Sequence, residues 1–183
     1  MNDSATVLLL AWVVRAALVV LFVTALWHKA RAPREFVAAL GNYRVLPAAL
    51  VPAAAGVVMF AEAVVLAGLL AAPMPVAPFA ALAALLLLGY AVAIAVNLGR
   101  GRTTIDCGCH GFSGRQQIAG WMVVRNLGLA TLAVVLARLG QGSEPLPLPA
   151  AADWVTVVGA TAMGCLLYAL LHYLMANASK LAR

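Results

Sequence analysis

Two thiols one residue apart stand in the stretch Asp106-Cys107-Gly108-Cys109-His110-Gly111, and they are two of the three cysteines in the chain. A pair at this spacing can carry thiol–disulfide exchange. A disulfide needs Cα atoms roughly 4.4–6.8 Å apart. An extended i, i+2 pair lies at or beyond the upper end of that range, at ~3.3–3.6 Å per residue. Gly108 removes the steric bar to the bend that would bring the sulfurs together. The ring so formed is small, and strained, exposed disulfides are the ones that exchange. His110 is adjacent, and Arg100, Arg102 and Arg115 are close in sequence. Positive groups lower a thiol's pKa and raise its thiolate fraction. Asp106 opposes that effect or serves as a proton acceptor. Cys107, Cys109 and His110 would also suit Zn or Cu(I) as soft or borderline donors. A closed zinc site needs a fourth ligand, the other histidines are His28 and His172, and no metal site is assigned.

The elements that hold this pair are read from composition. Of 183 residues, 65% are hydrophobic and 10% are charged, against about 25% charged in a soluble domain. The apolar runs are long enough to span a bilayer, at roughly 20 residues each. Period-two alternation is absent, which argues against a membrane β-barrel. The expected fold is an all-α polytopic membrane protein in a single domain, residues 1–183. It comprises a four-helix transmembrane bundle, a fifth C-terminal transmembrane helix and a short interfacial helix. The spans fall at about 6–27, 48–72, 79–98, 121–139 and 154–175, with the Cys-Gly-Cys loop at 99–120. The first span is retained rather than cleaved: Asp3 makes its leading residues acidic, and its apolar run is too long for a signal peptide. Trp27-His28-Lys29 reads as an anchor at the headgroup level. Pro33 opens the interfacial helix, Phe36, Val37 and Leu40 form its apolar face, and Gly41-Asn42 stops it.

Three charged residues fall inside the spans. Arg15 and Glu62 lie at similar depths if consecutive helices are antiparallel, and they are expected to form an intramembrane ion pair. Arg125 lies roughly 8 Å below the loop face at 1.5 Å per residue. It pairs with Glu62, caps loop carbonyls or stabilises a thiolate. Cys165, in the fifth span, reads as a small buried hydrophobe.

The net charge of +6 does not point to nucleic acid, because Lys and Arg sit at the ends of apolar segments, where they fix topology and touch anionic headgroups. One face carries Lys29, Arg31, Arg34, Arg44, Arg100, Arg102, Arg115, Lys180 and Arg183, and the other only Arg138. The positive-inside rule then puts the dithiol on the cytoplasmic side.

The chain resembles the methylamine utilisation protein MauE family, distantly similar to DoxX-type membrane proteins. The resemblance rests on the run from Trp27 to Phe36, on Asn42-Tyr43-Arg44-Val45-Leu46-Pro47, and on Glu62. It rests also on Asn97-Leu98-Gly99-Arg100-Gly101-Arg102 leading into the Cys-Gly-Cys stretch, and on Val124-Arg125-Asn126. It covers roughly residues 10–138. His110 stands where the family pattern has an aromatic such as Phe, so no family role is carried over to it. The resemblance implies a multi-pass protein of the bacterial inner membrane that supports maturation of the disulfide-rich β-subunit of methylamine dehydrogenase, or of another exported protein. It implies a thioredoxin-like partner of the MauD type and redox work on the periplasmic side, opposite to the charge count. A quinone in the bundle would be an electron acceptor by analogy with DsbB and vitamin K epoxide reductase, although no residue here assigns a cofactor. The alternatives are a soft-metal membrane carrier that uses Cys107, Cys109, His110 and Glu62, and a noncatalytic membrane scaffold.

Overall fold

The computed structural model describes residues 3–71, 75–105, 117–141 and 146–181. Its elements are α1 (Asp3–Arg31), α2 (Pro33–Asn42), α3 (Val51–Leu70), α4 (Ala77–Gly99), α5 (Gly120–Leu139) and α6 (Asp153–Leu181), with a 3-10 turn at Ala48–Leu50 leading into α3. Five segments are long and apolar enough to cross a membrane: Ala5–Arg31, Ala48–Leu70, Ala77–Gly99, Gly120–Leu139 and Asp153–Met175. The protein is a multi-pass helical membrane protein. Helices α1 and α6 outrun the expected spans because a helix ends at a breaker, not where its apolar run ends. Pro33 forces Ala32 out of helical geometry, to φ −135°, and so separates α1 from α2. Pro33 itself suits the first turn of α2, where its missing N–H has no helical partner to lose.

Helix α1 packs against α3, α3 against α4, α4 against α5, and α5 against α1, while α6 lies on α1. The most extensive contact is α4 with α5. It is lined by small buried residues, Ala80, Ala83, Ala84 and Ala91 on α4 and Ala130 and Ala133 on α5. Between apolar helices in lipid, close approach of this kind supplies the packing that the hydrophobic effect does not. Helices α3 and α4 also meet closely. A Cβ on Gly68 would stand 2.1 Å from the Phe79 ring. Large apolar side chains such as Phe60, Val92, Val124 and Val155 point outward, as suits a surface solvated by lipid. Helix α2 packs against α3 and α1, with Phe36 and Ala39 buried.

The two larger connections lie on one face of the molecule. Arg100 donates through Nη1 to the Arg44 carbonyl at 3.3 Å, and Arg102 through Nη1 to the Asn42 carbonyl at 3.4 Å. These arginines therefore serve carbonyls left open at the C-terminal end of α2. Beyond α4 the chain turns at Gly101, whose φ of 69° favours glycine. The Ile118 N–H then donates to the Ile105 carbonyl at 3.0 Å. Ile105 and Ile118 are buried with Tyr43, Ile94 and Met122. That cluster and that single backbone bond close the base of the segment that carries the two thiols.

Candidate functional site

Asp106, Cys107, Cys109 and His110 lie outside the described residues, as does Arg115. The structure describes what stands beneath them. Arg125, in the second turn of α5, lies over the Trp121 ring at 5.4 Å. Trp121 meets His172 of α6 edge-on at 5.2 Å, and Tyr168 lies 6.2 Å from the same imidazole. His172 is buried. Cys165, on the same helix, is a partly buried free thiol.

Deeper in the bundle is a charged site that differs from the expected one. Glu62 is completely buried and forms its ion pair with Lys29, not with Arg15. The Tyr90 hydroxyl donates to Glu62 Oε1 at 2.6 Å and accepts from Lys29 Nζ at 3.2 Å. The Lys29 ammonium also lies 5.0 Å from the Phe36 ring centre and 5.1 Å from that of Tyr90. Four helices thus enclose one cation: α1 supplies it, α2 an aromatic face, α3 the carboxylate and α4 the phenol.

The expected pairing of Arg15 with Glu62 fails because equal Cα depth does not decide where side chains meet. Helix side chains lean toward their own N-terminus. In antiparallel α1 and α3, Lys29 therefore leans into the bundle and Glu62 leans back toward it, while Arg15 leans away. Arg15 instead donates from Nε to the Leu69 carbonyl at 2.7 Å and from Nη2 to the Ala71 carbonyl at 3.2 Å. Those carbonyls close α3, where the helix end is partially negative. The Arg15 guanidinium also lies 4.6 Å from the Trp12 ring, whose Nε1–H donates to the Pro147 carbonyl at 2.9 Å. Glu62 makes its hydrogen bonds to Lys29 and Tyr90, so pairing with Glu62 is not the role of Arg125.

Lys29 is likewise not the headgroup anchor that its neighbours suggested. Trp27 is exposed and carries Arg31 at 4.2 Å over its ring. These two share a face at i, i+4, and Lys29, two residues from each, points the other way. Its face is that of Leu18 and Phe22, both buried. A signal for this exists in the sequence, since residues 18, 22 and 29 fall on one helical stripe. It is masked because nearly every residue of α1 is apolar and no stripe stands out.

The fold and its sites define a class, the small multi-pass helical membrane protein with charge buried between its helices and a tied loop on one face. The model of the family "Methylamine utilisation protein MauE" matches residues 7–139, and the chain belongs to that family. It is 41% identical over 152 residues to the methylamine utilization protein MauE of Paracoccus denitrificans, covering 83% of this chain and 81% of that one. It is 42% identical over 137 residues to the protein of the same name from Paracoccus versutus, covering 75% and 73%. With the Methylorubrum extorquens protein of that name the identity is 39% over 152 residues, covering 82% and 78%. No solved structure matches the chain. The family match ends with α5, so α6 lies beyond it.

Proposed function

We propose that this protein serves methylamine utilisation as a membrane thiol–disulfide maturation factor, with Cys107 and Cys109 as its working pair. Its substrate is the methylamine dehydrogenase β-subunit or another exported protein, and a thioredoxin-like protein of the MauD type is its redox partner. In the exchange, one cysteine thiolate attacks a partner disulfide, forming a mixed disulfide and releasing one partner thiolate. The second cysteine attacks the mixed disulfide, closes the Cys107–Cys109 bond and frees the second partner thiol. The reverse sequence oxidises the partner, so protons and electrons balance in either direction. Asp106 and His110 flank the pair, and Arg125 supplies positive charge beneath the loop that favours thiolate.

The observation that supports this reading most is the Ile118-to-Ile105 hydrogen bond. It brings together the two ends of the segment holding both thiols, beside Arg100 and Arg102. Trapping tests it. With Cys107→Ser or Cys109→Ser expressed in cells that use methylamine, at least one variant should accumulate a mixed disulfide with a partner, released by reductant. If neither variant captures a protein and the double variant still supports maturation, the proposal is wrong.

A further inference from the structure

Glu62 uses only one of its oxygens. Oε2 is buried and has no protein hydrogen-bond partner, and the same holds for Nδ2 of Asn126 on α5. Glu62 is 0% and Asn126 3% exposed. One orphan is an acceptor and the other a donor. Their depths agree. At the far end of the α4–α5 pair, Gly140 stands against Val76, since a Cβ there would lie 2.3 Å from Val76 Cγ1. Equal numbers of residues along α4 to Tyr90 and back along α5 to Asn126 put those two side by side, because both helices rise equally per residue. Tyr90 in turn holds Glu62. Helices α3 and α5 both flank α4, and the side chains next to this level on α4 and α5, Ala91 and Ala130, are small and buried. Lys29, Glu62, Tyr90 and Asn126 therefore make a polar layer with one residue from each of α1, α3, α4 and α5.

An unpartnered donor and an unpartnered acceptor in a hydrocarbon-embedded bundle are costly, and buried polar atoms of this kind take a partner. Water fits the chemistry, accepting from an amide N–H and donating to a carboxylate oxygen. We propose that this layer binds water between Asn126 Nδ2 and Glu62 Oε2, which gives the bundle centre an exchangeable proton at Glu62. The site is formed without the cysteines and stands apart from the thiol chemistry.

Radiolytic hydroxyl labelling in lipid nanodiscs tests it, because radicals made from a bound water mark the side chains beside it. The reporters are Met122, one turn from Asn126 and 0% exposed, and Tyr90; the reference is Met163, 59% exposed on α6. Met122 is expected to be oxidised faster than Met163 although it is the more buried, and Tyr90 is expected to be labelled with it. Asn126→Leu should remove the excess at both reporters. Labelling of Met122 no faster than of Met163, or labelling unchanged by Asn126→Leu, overturns the site. The first comparison needs no variant, so it stands even where Asn126→Leu fails to fold. The readout is the same with Cys107 and Cys109 replaced by Ser, so failure of the disulfide-exchange reading and failure of this site are told apart.

Discussion

The bundle buries two cations, and it treats them differently. Toward the dithiol face, Lys29 is neutralised by a carboxylate and held by a phenol and two aromatic faces. Toward the other face, Arg15 has no carboxylate. It is held by two carbonyls at the end of α3 and by the Trp12 ring. Both are nearly inaccessible, at 5% and 3% exposure. A compact ammonium needs an opposite charge once it leaves water, whereas a planar, weakly hydrated guanidinium can be satisfied by dipoles and a π face. Removing a partner should therefore be severe at the first site and milder at the second.

The largest effect is expected from breaking the ion pair. Glu62→Leu leaves an unpaired ammonium inside the bundle and should cost about 3–5 kcal/mol, with Lys29→Met similarly costly. The double variant Lys29→Met/Glu62→Leu should recover most of that loss, because two apolar residues need no compensation. Unfolding by graded denaturant in micelles measures all three. A double variant no better than either single one would give the pair a role other than mutual neutralisation.

Arg15→Leu removes a charge together with its hydrogen bonds, so the chain keeps no uncompensated ion. The expected loss is about 1–2 kcal/mol, the cost of leaving α3 carbonyls unserved. A loss equal to that of Glu62→Leu would erase the distinction between the two sites. The smallest change is expected from Tyr90→Phe, which keeps the ring beside Lys29 and deletes only the hydroxyl, at about 0.5–1.5 kcal/mol. The same unfolding assay, run beside Glu62→Leu, ranks the phenol against the ion pair.

The membrane-spanning architecture was legible in the sequence because lipid allows few solutions, and an uncharged run of bilayer length has to be helical. The limits of α2 were legible because Pro33 and Gly41-Asn42 act locally. The partners of the buried charges were not. A count of depth along the chain puts Arg15 opposite Glu62, yet the lean of each side chain sends Lys29 to the carboxylate and Arg15 to the end of α3. Asn126, read only as part of a family pattern, and Tyr90, not singled out at all, gain meaning once four helices are brought together. The family too was legible, since the Cys-Gly-Cys stretch and its flanks pointed to MauE before any comparison was made.

The tie between Ile105 and Ile118 has a mechanical consequence. A protein that grips the intervening chain pulls on both ends of the tie at once, and the buried cluster beneath it meets the load before the helices do. The segment can thus be seized, bent and released by a visitor while the charged interior below keeps its register.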